Sequence, residues 1–233
     1  MVTGLLIFAR SAGFLFRAPG FSHPSVPPTV RAALAVALAA AIAKAMHAVP
    51  PPAGAGLVAA FASEFLIGAV MGSAASIAYD GAYAGGRIVD DYVGVKAIAP
   101  SVALVAPSGF GRVWSLAFTG AFFLSGLYRG AIFAFARSFE PLPPGTALAA
   151  PALMQYAVHL AAAIAYVAVQ VAAPAVALAF TAQVALGAIS RVVPRFGSFT
   201  LAFPLAYAAA LIATAVAMPL LAQRLPSPAP LLP

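Results

Sequence analysis

Two long uncharged runs shape the second half of the chain. From Pro141 to Ser190 there is no Asp, Glu, Lys or Arg, and from Phe196 to Gln223 there is none either. Between them stands Arg191-Val192-Val193-Pro194-Arg195-Phe196. Charged groups are costly in hydrocarbon, so arginines kept between such runs need a polar setting or a job. Proline cannot continue the helical ladder. The stretch predicts a break between two hydrophobic helices, with its arginines at a surface, a headgroup layer or a protein contact. Read the same way, Val30–Val49, Leu57–Tyr79, Ala152–Phe180 and Phe199–Leu221 reach the length of about 20 residues that a bilayer span needs. Val113–Tyr128 and Leu5–Phe16 are shorter apolar helices. The breaks are Ala18–Pro28, Pro50-Pro51-Pro52, the segment Gly94–Gly111, the corner Pro141–Gly145 and Arg191–Gly197.

One of these helices carries small residues at four-residue spacing: Gly68, Gly72, Ser76, then Asp80 and Ala84. Gly81 and Gly85 repeat the pattern one position on. Small faces let helix backbones approach closely in a membrane. Two in succession predict a crowded helical assembly, with packing inside the chain or against other subunits.

Composition fits this picture. Apolar residues make up 64% and charged residues 7% of the 233 positions, and the mean hydropathy is +1.02. A soluble domain would carry about 25% charged residues, so an all-α, multi-helix integral membrane protein is expected. No sequence repeat stands out. We expect one helical domain over 1–225 and a Pro-rich tail over 226–233. Met1–Phe16 lacks a basic region ahead of its apolar part, and Arg10 interrupts that part, so it reads as a first helix that stays. The formal charge of +7 is scattered, which suits topology and lipid headgroups rather than nucleic acid. The absence of cysteine excludes disulfides, thiolate catalysis and Cys-ligated metals.

Few residues suggest chemistry. His23, His47 and His159 are far apart and lack metal-binding spacing. Asp80-Gly81-x-x-Ala84 is similar to the start of the motif of membrane phosphatidyl-alcohol transferases. Gly85, Ile98 and Val102 stand where that motif needs an Arg and two carboxylates, so its metal site cannot form. Asp90 and Asp91 are adjacent, and adjacent helical residues point in different directions, which suits an interfacial polar step better than a catalytic pair. Glu64 lies inside an apolar stretch. It is either a proton or cation site or a buried helix–helix contact to an Arg or a backbone group. The segment Gly94–Gly111 mixes Val95, Ile98, Val102, Leu104 and Val105 with Pro100, Pro107, Gly109 and Gly111. It is too apolar for a solvated loop and too broken for a helix. Such backbone at membrane depth is either buried in protein or lines a pore. The alternative is a loop on the lipid surface.

The order of motifs resembles a known family, the flagellar biosynthetic protein FliR and its injectisome counterparts of the SctT/SpaR/YscT/HrcT group. Arg10, Ala18-Pro19, Ser25-Val26-Pro27 and Arg31 resemble its opening. Glu64-Phe65-Leu66-Ile67-Gly68 with Gly72 is similar to its Glu-x-x-x-Gly-x-x-x-Gly helix, and Ala84-Gly85-Gly86-Arg87-Ile88 with Gly94 follows in order. Arg112 and Ser138-Phe139-Glu140-Pro141-Leu142-Pro143 keep the spacing of flagellar members. Ala185-Leu186-Gly187, Arg191-x-x-Pro194, Phe199 and Phe203-Pro204-Leu205 resemble its Arg-x-x-Pro segment. There are two departures. Arg195-Phe196-Gly197 stands where Gln-Leu/Ile-Asn is frequent, and the middle-loop Asp-Pro is absent.

The resemblance implies a non-enzymatic subunit, without cofactors, of a type III protein export gate in the bacterial inner membrane. It implies FliP-like and FliQ-like partners around a protein-conducting pore, with FlhB-like and FlhA-like subunits nearby. The chain would resemble a fusion of its first two partners, with kinked and broken helices. In that setting Val95, Ile98, Pro100, Val102, Val105, Gly109 and Gly111 belong to a plug. Glu64, Gly68, Gly72, Gly85, Arg191 and Pro194 serve helix packing and assembly. No phosphate-binding loop is present, so energy would come from a separate ATPase and the proton gradient. The rival function is a small secondary transporter or channel with Glu64 and Gly94–Gly111 at its site; a membrane enzyme is third.

Overall fold

The computed structural model describes residues 2–23, 26–45, 56–94, 109–146, 150–193 and 199–224. Among these there are helices and turns and no strand. The helices are α1 (Val2–Arg17), α2 (Pro28–Ala45), α3 (Gly56–Ala75), α4 (Ile77–Val93), α5 (Gly109–Leu124), α6 (Leu127–Arg137), α7 (Ala150–Ser190) and α8 (Phe199–Arg224). The chain is all-α, as its hydropathy predicts. The tail 226–233 lies outside the described residues.

Three helices differ from the sequence expectation. The run Leu57–Tyr79 is not one helix. Ser76 separates α3 from α4, its N–H donating to Gly72 O at 3.0 Å and Ser73 O at 3.1 Å. The run from Val113 breaks at Ser125-Gly126, where Gly126 adopts φ +76°, and α5 and α6 are bent by 74°. A left-handed residue ends a helix cheaply only when it lacks Cβ. In the opposite sense, α7 continues past Phe180 to Ser190, with Pro174 inside it, for 41 residues. Its length, about 60 Å at 1.5 Å per residue, is twice a typical hydrocarbon core. Hydropathy shows where a helix can be buried, not where the backbone turns. Among the described residues, two helices, or three if the α5–α6 pair is one broken span, are long and apolar enough to cross a membrane.

The backbone groups into two compact units. The first comprises Met1–Ile77 with Thr119–Ala161, and the second Ala78–Phe118 with Ala162–Pro226. In the first unit α1 is the central element, packed on α2 and α3. Its Leu6, Ile7, Ala9, Phe14 and Leu15 are all buried. Phe14 stacks on Phe135 of α6 with centroids 4.5 Å apart, and Ile67, Met71, Ala35 and Phe139 complete this core. The Gly68 and Gly72 face lies against α1. A Cβ at Gly68 would strike the Arg10 carbonyl, and one at Gly72 the Phe14 carbonyl.

In the second unit α4 lies against α7 through the shifted face. A Cβ at Gly81 would come within 2.6 Å of Val167, and one at Gly85 within 2.6 Å of the Ala168 carbonyl. The facing side of α7 presents Val167, Ala168 and Val171, all buried. The two small-residue faces thus serve two different partners, with the break at Ser76 between them.

Candidate functional site

A charge network fills the centre of the first unit. Arg10 and Glu64 are both fully buried. They pair side-on: Arg10 Nε donates to Glu64 Oε2, and Nη2 donates to Oε1 at 3.0 Å. This bidentate geometry uses the fixed fork of the guanidinium. Oε1 also accepts from the backbone N–H of Gly145 at 2.8 Å. The remaining face of Arg10 is directed at the corner after α6. Its Nη1 reaches the Ser138 carbonyl and hydroxyl at 3.4 Å each, and its Cζ lies 4.2 Å from the Phe139 ring centroid.

Local structure explains the convergence. Ser138 caps α6, its N–H donating to Ala134 O and Phe135 O at 3.1 Å and its hydroxyl to Phe135 O at 2.6 Å. The prolines that follow prevent another turn of helix. Gly145, at φ +89°, turns the chain so that its N–H faces Glu64. The segment Ser138–Gly145 therefore closes over an ion pair supplied by α1 and α3. Both carboxylate oxygens are engaged, and the charges are paired and hydrogen-bonded as buried charges must be.

A second polar cluster lies in the other unit. Asp90, near the end of α4, is 1% exposed. Its Oδ1 accepts from Phe110 N at 3.1 Å and its Oδ2 from Gly111 N at 3.4 Å. These are first-turn N–H groups of α5, which have no acceptor within their own helix. Gly86 lies against the backbone of Phe110 and Gly111 so closely that no Cβ fits. Phe110 is buried and packs on Tyr207 of α8, with centroids 5.0 Å apart. Gly94, at φ +85°, ends α4.

Of the residues singled out by sequence, Glu64 takes an Arg and a backbone group as partners. Gly68, Gly72 and Gly85 lie at helix crossings. Gly109 and Gly111 begin α5, and Val95, Ile98, Pro100, Val102 and Val105 lie outside the described residues. Arg191 is exposed, in a turn whose N–H donates to Ala188 O at 3.3 Å; Pro194 is outside the described residues. Arg10 and the Ser138–Pro143 corner were marked only as separate motifs, and sequence reasoning did not join them to Glu64. Asp90 was missed as a helix cap. Its only signal was an acidic residue ahead of an apolar break. Among the described residues no group of three or more His, Asp or Glu is arranged to hold a metal ion.

A family model described as bacterial export proteins, family 1, matches residues 1–227. The chain belongs to this family. It is the FliR/SctT family that the order of motifs resembles. No curated protein matches the chain. The export protein is thus a membrane-embedded component of a bacterial export apparatus. The family is known as a structural component and not as an enzyme. Its buried network joins α1, α3 and the corner after α6.

Proposed function

We propose that this protein is a multi-pass inner-membrane subunit of a type III export gate and forms part of its protein-conducting pore. The family match over residues 1–227 carries the reading. The partners are FliP-like and FliQ-like subunits, with FlhB-like and FlhA-like subunits adjoining. The subunit itself is non-enzymatic and needs no cofactor. The Ser138–Pro143 corner, spaced as in flagellar members, favours a flagellar apparatus over an injectisome. The neighbourhood of the gene tests that choice.

Physical features support a packing role over a transport site. Both Glu64 oxygens are bound within the chain, so a cation would have to displace Arg10 or the Gly145 N–H. Large apolar side chains on α7, including Met154, Val158, Tyr166, Val169 and Phe180, are exposed and need lipid or other subunits to cover them.

Gly94–Gly111 acts as the plug of the resting gate. Its apolar residues exclude water, and a hydrophobic constriction gates by dewetting. Gly94 and the prolines suit a segment displaced when a substrate passes, with Gly109 and Gly111 in the first turn of α5 beyond it. Removing Val102–Gly109 from the overproduced gate is expected to let ions cross the membrane and to slow growth. A shortened gate that assembles normally in an ion-tight membrane would refute the plug.

A further inference from the structure

Asp90 is a buried carboxylate with no cationic partner among the described residues, and it takes no part in the Arg10–Glu64 network. A buried charge persists only where donors satisfy it. Here the donors are Phe110 N and Gly111 N, at 3.1 and 3.4 Å. They are free because they open a helix, and that end of α5 carries the positive pole of its dipole. Normally the residue just before the helix supplies such a cap. In this chain the cap comes from another helix, twenty residues earlier in sequence.

Other contacts fix the same turn. Gly86 abuts the Phe110–Gly111 backbone without room for a Cβ. Phe110 is held under Tyr207. Gly86 and one carboxylate thus let α4 and the start of α5 meet backbone to backbone. Val89 and Val93, on either side of Asp90 along α4, are buried as well. Apolar burial at these positions is non-directional, so it does not fix where along α4 the first turn of α5 sits. The paired hydrogen bonds do, because they require both oxygens at set positions.

We propose that Asp90 is a positioning residue of the export gate. Its charge clamps the first turn of α5 to α4, and this alignment keeps the resting gate ion-tight. The consequence for the gate rests on the export-gate reading above, whereas the clamp rests on geometry alone.

The test uses the complete chain co-produced with its gate subunits, comparing wild type, Asp90→Asn and, as a control on the same helix, Gly120→Ala, whose added methyl meets open space. Asn has the shape of Asp and keeps one acceptor oxygen for Phe110 N, but turns an NH2 donor toward Gly111 N. Two quantities are read: hydrogen exchange of the peptide spanning Phe110 and Gly111, and proton leak in vesicles carrying the purified complex. An amide lacking an acceptor exchanges freely, so the clamp predicts that exchange of the Gly111 N–H rises about tenfold in Asp90→Asn, with added leak and unchanged complex yield. Gly120→Ala should match wild type in both. Unchanged exchange in Asp90→Asn overturns the clamp. Faster exchange in a tight membrane overturns the positioning role and leaves the gate reading standing. Loss of the complex also overturns it, since an isosteric change would then act on folding and not on alignment. Failure of the wild-type chain to join the other subunits counts against the gate reading and not against the clamp.

Discussion

Replacing Glu64 by alanine strands the Arg10 guanidinium in the core of the first unit. Both side chains are 0% exposed, so no water substitutes for the lost carboxylate. The remaining partners are two Ser138 oxygens at 3.4 Å and the Phe139 face. Removing one member of a buried ion pair costs about 3–5 kcal/mol. The Gly145 N–H also loses its acceptor, at about 1–3 kcal/mol for a buried donor, and less here because Gly145 is only half-buried. The lower ends add to about 4 kcal/mol, nearly three decades in the folded-to-unfolded ratio. That approaches the whole stability of a marginal domain, about 5 kcal/mol. The assay is chain abundance in membranes together with the thermal midpoint of the purified complex. Glu64→Ala and Arg10→Met should each lower both sharply. The double variant Arg10→Met with Glu64→Leu should recover part of the loss, because both charges leave the core together. If Glu64→Ala melts with wild type, or the double variant is no better than either single one, the network does not hold the unit together.

Other substitutions probe the helix crossings and breaks. Gly81→Val and Gly85→Leu should separate α4 from α7 and abolish complex formation on purification, because each added side chain meets atoms already within 2.6 Å of its Cβ; Gly130→Ala, which meets open space, should purify like wild type. Gly126→Ala meets no neighbour but is strained at φ +76°. It should lower the thermal midpoint by a stability loss of about 1–2 kcal/mol. Arg191→Ala should reduce assembly and export together, and Lys should substitute poorly because the guanidinium spreads its charge over five donors. Normal assembly and export of Arg191→Ala would remove Arg191 from the assembly surface.

Helix content and most breaks were legible in the sequence because burial in an apolar medium writes long uncharged runs, and proline ends them. The ends of α3, α5 and α7 were less legible. Ser76 and Gly126 interrupt apolar runs without changing their hydropathy, while Pro174 sits inside α7 without ending it. The small-residue faces were visible as spacing, but their partners were not. Gly68 and Gly85 look alike in sequence, yet one meets the Arg10 backbone and the other Ala168. The charge network was the least legible. Arg10 and Glu64 are 54 residues apart and Ser138 lies 128 from Arg10, and no local periodicity encodes such pairings. Asp90 posed the same problem at shorter range, since its role depends on where α5 begins.

On the proposed reading, this chain works only as one part of a larger gate. Native mass spectrometry tests it most directly, on the chain co-produced with FliP-like and FliQ-like subunits and extracted in mild detergent. The expected result is a single large complex holding one copy of this chain beside several of each partner, and degraded or heterogeneous material when the chain is produced alone. A long-lived, monodisperse monomer that ignores both partners would contradict it.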